Sequence, residues 1–216
     1  MLEKMGEFFD NRLIGYEEHM LQNIESATEF YPLTASLLPC FENAEILDLG
    51  CGTGLELNEY FKLNDKAKIT GIDLAPKMLE TLRNKFKDKN INLILGSYFD
   101  VSFGENLFDA AVSVESLHHF TKNEKIPLYK KLHRALKDCG YFILTDYFAL
   151  NDEEEILFRS ELDRLKKEEH IEDNEFYHYD TPLTVDHEIE ALKEAGFSKL
   201  SVITNFGATY IIKAYK

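Results

Sequence analysis

The chain has 216 residues, of which 44% are hydrophobic and 29% charged, a composition typical of a folded globular protein rather than a disordered one. Its 39 acidic and 24 basic residues give a formal net charge of −15 at pH 7. This acidity argues against nucleic acid or an anionic membrane as a partner, and the length fits one domain with a full hydrophobic core.

Short apolar runs alternate with helical patterns along the chain, which is typical of a parallel sheet flanked by helices. After a mainly helical segment 1–44, the pattern predicts helices from Leu55 to Phe61 and from Pro76 onward. Gly140 is expected to close a later helix with a positive φ. The five predicted strands of this part are Glu45–Gly50, Lys68–Asp73, Ile91–Leu95, Phe108–Val114 and Tyr141–Thr145.

The rest of the chain predicts a helix capped by Thr184 and ended by Gly196, and then two β-rich runs, Leu200–Thr204 and Thr209–Ala214. The short loop between these runs is typical of a hairpin. We therefore predict an α/β fold with a doubly wound sheet of seven strands, the last two antiparallel to each other. We expect a single domain over 1–216, divided into an N-terminal helical cap 1–44, a core 45–147, an insertion 148–183, and a last helix with terminal hairpin 184–216.

The acidity is concentrated outside the predicted core. Residues 1–30 carry a net charge of −5 and residues 151–175 a net charge of −7, which together make −12 of the −15. Both segments are candidates to cover a site and to favour a neutral or cationic ligand. The alternative is that they are solvated helix faces, and the acidic run 152–155 suits a helix start.

The sequence predicts a cytoplasmic protein. The first residues show no cationic region followed by an apolar one, so no signal peptide is visible, and no apolar run is long enough to span a bilayer. The three cysteines, Cys40, Cys51 and Cys139, are far apart and form no CxxC pair, which suits a reducing compartment. A monomer or a homodimer is expected.

The most informative stretch runs from Asp48 to Gly54, where a strand ends and a helix begins. Its spacing is Gly50-x-Gly52-x-Gly54, which differs from the G-x-G-x-x-G of dinucleotide sites. Glycines here let the backbone approach a ligand closely, and Asp73 at the end of the next strand suits a pair of ribose hydroxyls. Asp48 would repel a pyrophosphate but accept from an ammonium group, which favours a ligand with an amino-acid tail.

The stretch DLGCGTG followed by GIDLAPKML closely resembles the class I S-adenosylmethionine-dependent methyltransferases. FDAAVS with SLHHF, LHRALK with GYF, and EAGF are similar to later motifs of that family, and the resemblance covers about residues 42–216. It implies a Rossmann-like sheet whose last strand is antiparallel, with S-adenosylmethionine as cofactor. The function it implies is methyl transfer to a small-molecule acceptor, through an oxygen, nitrogen, sulfur or carbon nucleophile, with release of S-adenosylhomocysteine.

The resemblance also implies the cofactor contacts. The glycines would lie at the methionine part, Asp73 at the ribose, and Leu74 with Met78 at the adenine. Relatives often have an acidic residue where Ser97 stands. The full set of expected cofactor-binding residues is Tyr16, Asp48, Gly50, Cys51, Gly52, Gly54, Asp73, Leu74, Met78, Ser97, Tyr98, Ser113 and Val114.

Catalytic and acceptor-binding candidates follow the fourth and fifth predicted strands. A sulfonium methyl is already electrophilic, so a general base is needed only where the nucleophile must lose a proton. His118 is the candidate base, with loop shaping as its alternative role. The candidate substrate contacts are His119, Glu115, Tyr147, Tyr177 and Tyr179.

No metal site is expected, because His170, His178 and His187 show no HxxxH or HExxH spacing. Three other functions stay open at this point. An RNA or protein methyltransferase would be expected to show a basic face, and this chain is acidic. A cofactor-binding protein without turnover and a nicotinamide-dependent dehydrogenase are the other two.

Overall fold

The computed structural model describes residues 1–171 and 175–216, so three positions of the predicted insertion 148–183 lie outside the described residues. The helices are α1 Met5–Asn11, α2 Tyr16–Asn23, α3 Ala27–Ser36, α4 Leu55–Leu63, α5 Pro76–Lys85, α6 Lys122–Ala135, α7 Asp152–Glu168 and α8 Val185–Glu194, with a 3₁₀ turn at Leu117–His119. The strands are β1 Glu45–Leu49, β2 Lys68–Asp73, β3 Asn90–Leu95, β4 Phe108–Val114, β5 Leu136–Tyr147, β6 Lys199–Phe206 and β7 Thr209–Tyr215.

The strands form one seven-stranded sheet in the order β3-β2-β1-β4-β5-β7-β6. The first five strands are parallel, while β7 is antiparallel to both of its neighbours, β5 and β6. The predicted α/β, Rossmann-like, doubly wound sheet with an antiparallel last strand is therefore confirmed. The chain order reverses between β1 and β4, and the carboxyl ends of these two strands form the crevice where such sheets bind ligands.

Local sequence explains where the helices begin. Thr121 and Glu124 form a capping box at the start of α6, in which each side chain accepts from the other residue's backbone N–H. The predicted cap at Thr184 is confirmed, since its hydroxyl accepts from the N–H of His187. The acidic run 152–155 lies in the first turn of α7, where negative charge opposes the positive end of the helix dipole.

The expectation for Gly140 is wrong. Helix α6 ends at Ala135, and Leu136 already pairs with Phe108 of β4, so β5 begins five residues earlier than predicted. The residue with positive φ in the following irregular stretch is Cys139, at 65°. A Cβ at Gly140 would lie 2.8 Å from the carbonyl oxygen of Lys137, so glycine is required there by close backbone approach.

The two acidic segments contact each other at the edge of the crevice. The carboxylate of Glu169 accepts from the N–H of Leu2 at 2.9 Å, and the Nζ of Lys4 lies 2.7 Å from Glu175. The N–H of His178 donates to the carbonyl of Glu3. The described parts of the N-terminal cap and of the 148–183 insertion therefore form a joint cover. Within the described ranges, no helix combines the length and apolar character that a membrane crossing needs.

Candidate cofactor and acceptor site

The glycine turn follows β1 and lies at the crevice. Gly50, Gly52 and Gly54 have φ values of 75°, 47° and 73°, in the left-handed region that glycine adopts at no steric cost. A Cβ on Gly50 would lie 2.1 Å from the Oγ of Ser116, which follows β4. The turn therefore needs glycine at position 50 for both its conformation and its contact with the neighbouring strand end.

The carboxylate of Asp73 ends β2 and fastens this turn. Its Oδ2 accepts from the N–H of Gly52 at 2.8 Å and its Oδ1 from the N–H of Ala75 at 2.8 Å. Burial raises the pKa of Asp73, and these backbone donors oppose the rise. Each oxygen keeps a second lone pair, so the carboxylate still has capacity for hydroxyl donors.

A narrow cavity of about 50 Å³ lies over the turn. Eight of the expected cofactor residues line it, namely Tyr16, Gly50, Gly52, Asp73, Leu74, Met78, Tyr98 and Val114. Met5 and Phe9 of α1 also line it, so the N-terminal cap lies directly on the turn. The structure thus brings together residues from five separate stretches of sequence that were expected at one ligand.

Five other expected residues do not line this cavity. Cys51 is packed against Gly71, where a Cβ would lie 2.8 Å from its sulfur, and Gly54 caps α4 against Leu82 and Phe86. Cys51 and Gly54 therefore support the packing of the core. The hydroxyl of Ser113 donates to Leu49, that of Ser97 accepts from Phe99, and Asp48 is 1% exposed beneath the turn.

Asp48 lies beside a second buried carboxyl group, Glu56 of α4. Burial raises the pKa of both, and the proximity of Glu56 raises that of Asp48 further. Asp48 Oδ2 and Glu56 Oε1 have no hydrogen-bond partner among the described residues. The sequence prediction included Asp48 but missed Glu56, whose position in the first turn of α4 gave no motif signal.

A larger cavity of about 910 Å³ adjoins the narrow one, and the two share Phe9, Tyr16, Glu115 and His119. This volume is in the range of small-molecule sites. Its wall comes from helices α1 and α2, the ends of β4 and β5, the segment 178–180 and the β6–β7 turn. Among its lining residues are Phe8, Arg12, Glu25, His118, Tyr147, His178, Asp180 and Thr209.

His118 is almost fully buried and lies between two carboxylates. Its Nδ1 donates to Asp146 Oδ1 at 2.6 Å, while its Nε2 lies 3.5 Å from Asp180 Oδ1. Asp146 is held in place by the N–H groups of Leu117 and Tyr147. Burial alone would lower the pKa of His118, but Asp146 and Asp180 outweigh it and hold that pKa well above the usual range.

Burial favours the neutral form of His119 and His178. Burial and the charge of His118 lower the pKa of His119, and burial with His119 lowers that of His178 to about 4. His119 Nδ1 lies 3.1 Å from Asp180 Oδ1 and 3.2 Å from the carbonyl oxygen of Tyr179. The ring of His178 is stacked on Phe8 with centroids 3.5 Å apart, which continues the aromatic wall toward α1.

Glu115 lies where the two cavities meet. Its backbone has a φ of 49°, and its carboxylate accepts from the Thr209 hydroxyl at 3.2 Å. Burial and the neighbouring charge of Asp146 raise the pKa of Glu115 to about 7. This carboxyl group therefore changes its charge near neutral pH.

The tyrosines expected at the acceptor separate into two groups. Tyr147 lines the large cavity, and its ring lies 5.9 Å from that of His118. Tyr177 donates its hydroxyl to Glu175 at an exposed position, and Tyr179 offers its backbone carbonyl to His119. Neither Tyr177 nor Tyr179 is among the residues that line the two cavities.

Sequence reasoning missed several residues of the cavities. Asp180 and His178 belong to the Tyr177–Asp180 stretch, whose polar and aromatic composition indicated a possible site, although the sequence prediction included only Tyr177 and Tyr179. Met5, Phe9 and Ser116 gave no motif signal, because their positions depend on how the cap and the end of β4 pack on the turn.

Comparison with known proteins matches residues 46–140 to the methyltransferase domain family. A carboxy-S-adenosyl-L-methionine synthase of Campylobacter fetus is 25% identical over 155 residues, which cover 70% of this chain and 65% of that protein. A tRNA (carboxymethyluridine(34)-5-O)-methyltransferase of Arabidopsis thaliana is 27% identical over 61% of this chain and 32% of its own length. The chain thus spans less than two thirds of either relative.

Among solved structures, an S-adenosylmethionine-dependent methyltransferase of Thermotoga maritima, described as a possible histamine N-methyltransferase, shares the fold. It is 21% identical with a TM-score of 0.68, covering 98% of this chain and 99% of that one. Residues 46–140 thus match a methyltransferase domain, and the glycine turn and the sheet order agree with the fold of the class I S-adenosylmethionine-dependent methyltransferases. The cofactor of that class is S-adenosylmethionine.

Proposed function

We propose that this protein transfers a methyl group from S-adenosylmethionine to a small-molecule acceptor and releases S-adenosylhomocysteine. The observation that carries the proposal is the continuity of the two cavities, which share Phe9, Tyr16, Glu115 and His119. One cavity has the residues expected for the cofactor and the other has the volume of a small-molecule site. A methyl group held at their junction faces an acceptor atom held in the larger cavity.

On the cofactor side, the methionine part lies along the backbone of Gly50 and Gly52, where a side chain would obstruct it. Asp73 uses its remaining lone pairs for the ribose hydroxyls, and Leu74 with Met78 packs on the adenine. Tyr16, Tyr98 and Val114 complete the wall. The expected residues that do not line the cavity, such as Ser113 and Cys51, support the turn from behind.

On the acceptor side, His118 is the base for a nucleophile that must lose a proton, and because Asp146 and Asp180 raise its pKa, its Nε2 proton must first leave to solvent. Asp146 fixes its Nδ1–H, so that Nε2 faces the cavity and Asp180. The protein's main contribution is to align the nucleophile with the sulfonium methyl. An acceptor that is already deprotonated or carries a free lone pair needs no base at all.

The tRNA methyltransferase among the relatives makes RNA a second candidate acceptor. The cover over the site carries most of the net charge of −15, which opposes an RNA backbone. A methyl-transfer screen over small amines, phenols, thiols and carboxylates, with bulk tRNA as a further arm, distinguishes the two by release of S-adenosylhomocysteine. Turnover with tRNA alone would contradict a small-molecule acceptor.

A further inference from the structure

Three side chains at the wall of the large cavity converge on one point. His118 Nε2 and His119 Nδ1 lie 3.5 Å and 3.1 Å from the same oxygen, Oδ1 of Asp180. All three ligand atoms lie within 4.8 Å of one another. The two imidazoles follow β4 and the carboxylate comes from the 148–183 insertion, so the point lies between the core and its cover.

Asp180 lies within ion-pair distance of both imidazoles, but no well-aligned hydrogen bond from the described residues holds its carboxylate there. Its Oδ1 is buried, yet it accepts no hydrogen bond from the residues that the structure describes. A buried carboxylate oxygen without a donor is costly. Ligands at about 2.1 Å from one zinc ion lie about 3.0 to 3.5 Å from each other, and both measured separations from this oxygen agree with that range.

The surroundings of His118 are those of a metal-binding imidazole. Such histidines usually donate their second ring N–H to a carboxylate, which fixes the tautomer and turns the other nitrogen toward the ion. Asp146 accepts from Nδ1 at 2.6 Å and is itself held by the Leu117 N–H at 2.8 Å. Nε2 therefore faces the cavity before any ion binds, and it becomes a ligand atom once it has released its proton.

We propose that His118, His119 and Asp180 bind one divalent transition-metal ion, such as Zn²⁺ or Co²⁺, with an open coordination position that faces the acceptor cavity. Two imidazoles and one carboxylate suit these ions, and a site with three protein ligands leaves room for a water or an acceptor atom. On binding, the ion takes the place of hydrogens on the ligand nitrogens. His118 Nε2 releases its proton to water, and the hydrogen of His119 moves to Nε2.

The role of the ion rests on the proposed methyl transfer. A thiol or hydroxyl acceptor in the open position would lose its proton to solvent more readily, since the ion stabilises the anion. His118 then serves as a ligand and no longer as a base, because its Nε2 is occupied. Nε2 cannot be a metal ligand and a base at the same time. A chelator should reduce methyl transfer if Nε2 binds the ion, and it should leave methyl transfer unchanged if Nε2 is the base.

The test titrates the chelator-treated full chain with Co²⁺ and follows the visible absorption bands, with Zn²⁺ content after dialysis as a second measurement. We expect one ion per chain. Asp180→Asn and His119→Ala should lower the affinity for Co²⁺ more than 100-fold, and Asp146→Asn, beyond the ligand set, about 10- to 100-fold. The matched control is His170→Ala, a histidine outside the cluster, which should bind Co²⁺ as the unchanged protein does.

S-adenosylhomocysteine binding, measured on the same samples by calorimetry, shows that each variant is folded. No Co²⁺ or Zn²⁺ bound at micromolar concentrations, or equal binding by Asp180→Asn, would overturn the metal site. Metal binding without methyl transfer to any acceptor would support the site and contradict the proposed function. Methyl transfer that a chelator leaves unchanged, in a protein that binds no metal, would support the function and return His118 to the role of base.

Discussion

The cofactor half and the acceptor half of the site differ in how their residues are distributed along the chain. The turn at Gly50–Gly54, Asp73 and Met78 lie within about thirty residues, on the ends of two adjacent strands and the helices after them. The acceptor cavity collects side chains from Phe8 to Thr209. The first half is fixed by local backbone geometry and the second by long-range packing, so they should respond differently to mutation.

The largest effect is expected from Gly50→Ala. The new Cβ would meet the Ser116 hydroxyl at 2.1 Å, and the φ of 75° would become strained, so the turn must move. We expect the affinity for S-adenosylhomocysteine in calorimetry to fall by at least about 100-fold. The matched control is Gly15→Ala, which shares a positive φ of 81° but has no neighbour within 4 Å of its Cβ. Equal losses in both variants would contradict the role assigned to the turn.

A second effect should separate turnover from cofactor binding. Asp146→Asn keeps the size of the side chain but removes the charge that orients His118. We expect methyl transfer to fall about 100-fold or more, within the range typical of lost acid–base catalysis, with S-adenosylhomocysteine affinity changed by less than about twofold. Asp163→Asn, an exposed carboxylate on α7, is the control. A parallel loss of cofactor affinity would show that the two halves are not independent.

Glu115 lies at the junction, and its effect should appear in the pH dependence of stability. Its pKa rises from 4.5 to about 7 on folding, so the folded state binds more protons between these values than the unfolded state. The free energy of unfolding should therefore fall as pH increases from about 4.5 to about 7. Urea unfolding of Glu115→Gln should show a smaller fall than that of the unchanged protein. Identical pH profiles would contradict the burial of an ionisable Glu115.

The smallest effect is expected from the acceptor-side tyrosines. Tyr147→Phe removes a hydroxyl from the large cavity and should change the acceptor KM by a few fold at most, about 1 kcal/mol or less. Tyr177→Phe removes a hydroxyl that donates to Glu175 outside the cavity and should leave KM and kcat unchanged. A larger effect at Tyr177 would place the acceptor under the insertion.

Most of the fold was predictable because its signals are local. The alternation of apolar runs and helix caps identified all seven strands, and the cap at Thr184 lies where expected. The expectation for Gly140 was wrong because a sequence shows the same glycine whether its position needs a positive φ or a close approach of the backbone. Only the pairing of Leu136 with Phe108 distinguishes them.

The parts of the site that depend on local backbone geometry were predictable from the sequence, and the parts that depend on long-range packing were not. The expected cofactor residues Gly50, Gly52, Asp73, Leu74 and Val114 line the narrow cavity because the glycine turn and the ends of β2 and β4 are adjacent in any such sheet. Asp180 was missed because it lies 62 positions from His118 along the chain, and only the packing of the insertion brings the two side chains together. Periodicity and motif spacing carry no information on such a contact.

The position of β7 between β5 and β6 has a consequence for the order of events during synthesis. Among the described strands, β6 pairs with β7 alone, yet it leaves the ribosome first. The backbone of β6 therefore has no partner on the sheet until β7 has been made. A β6 strand without β7 would present an unpaired edge, which is an aggregation hazard during folding.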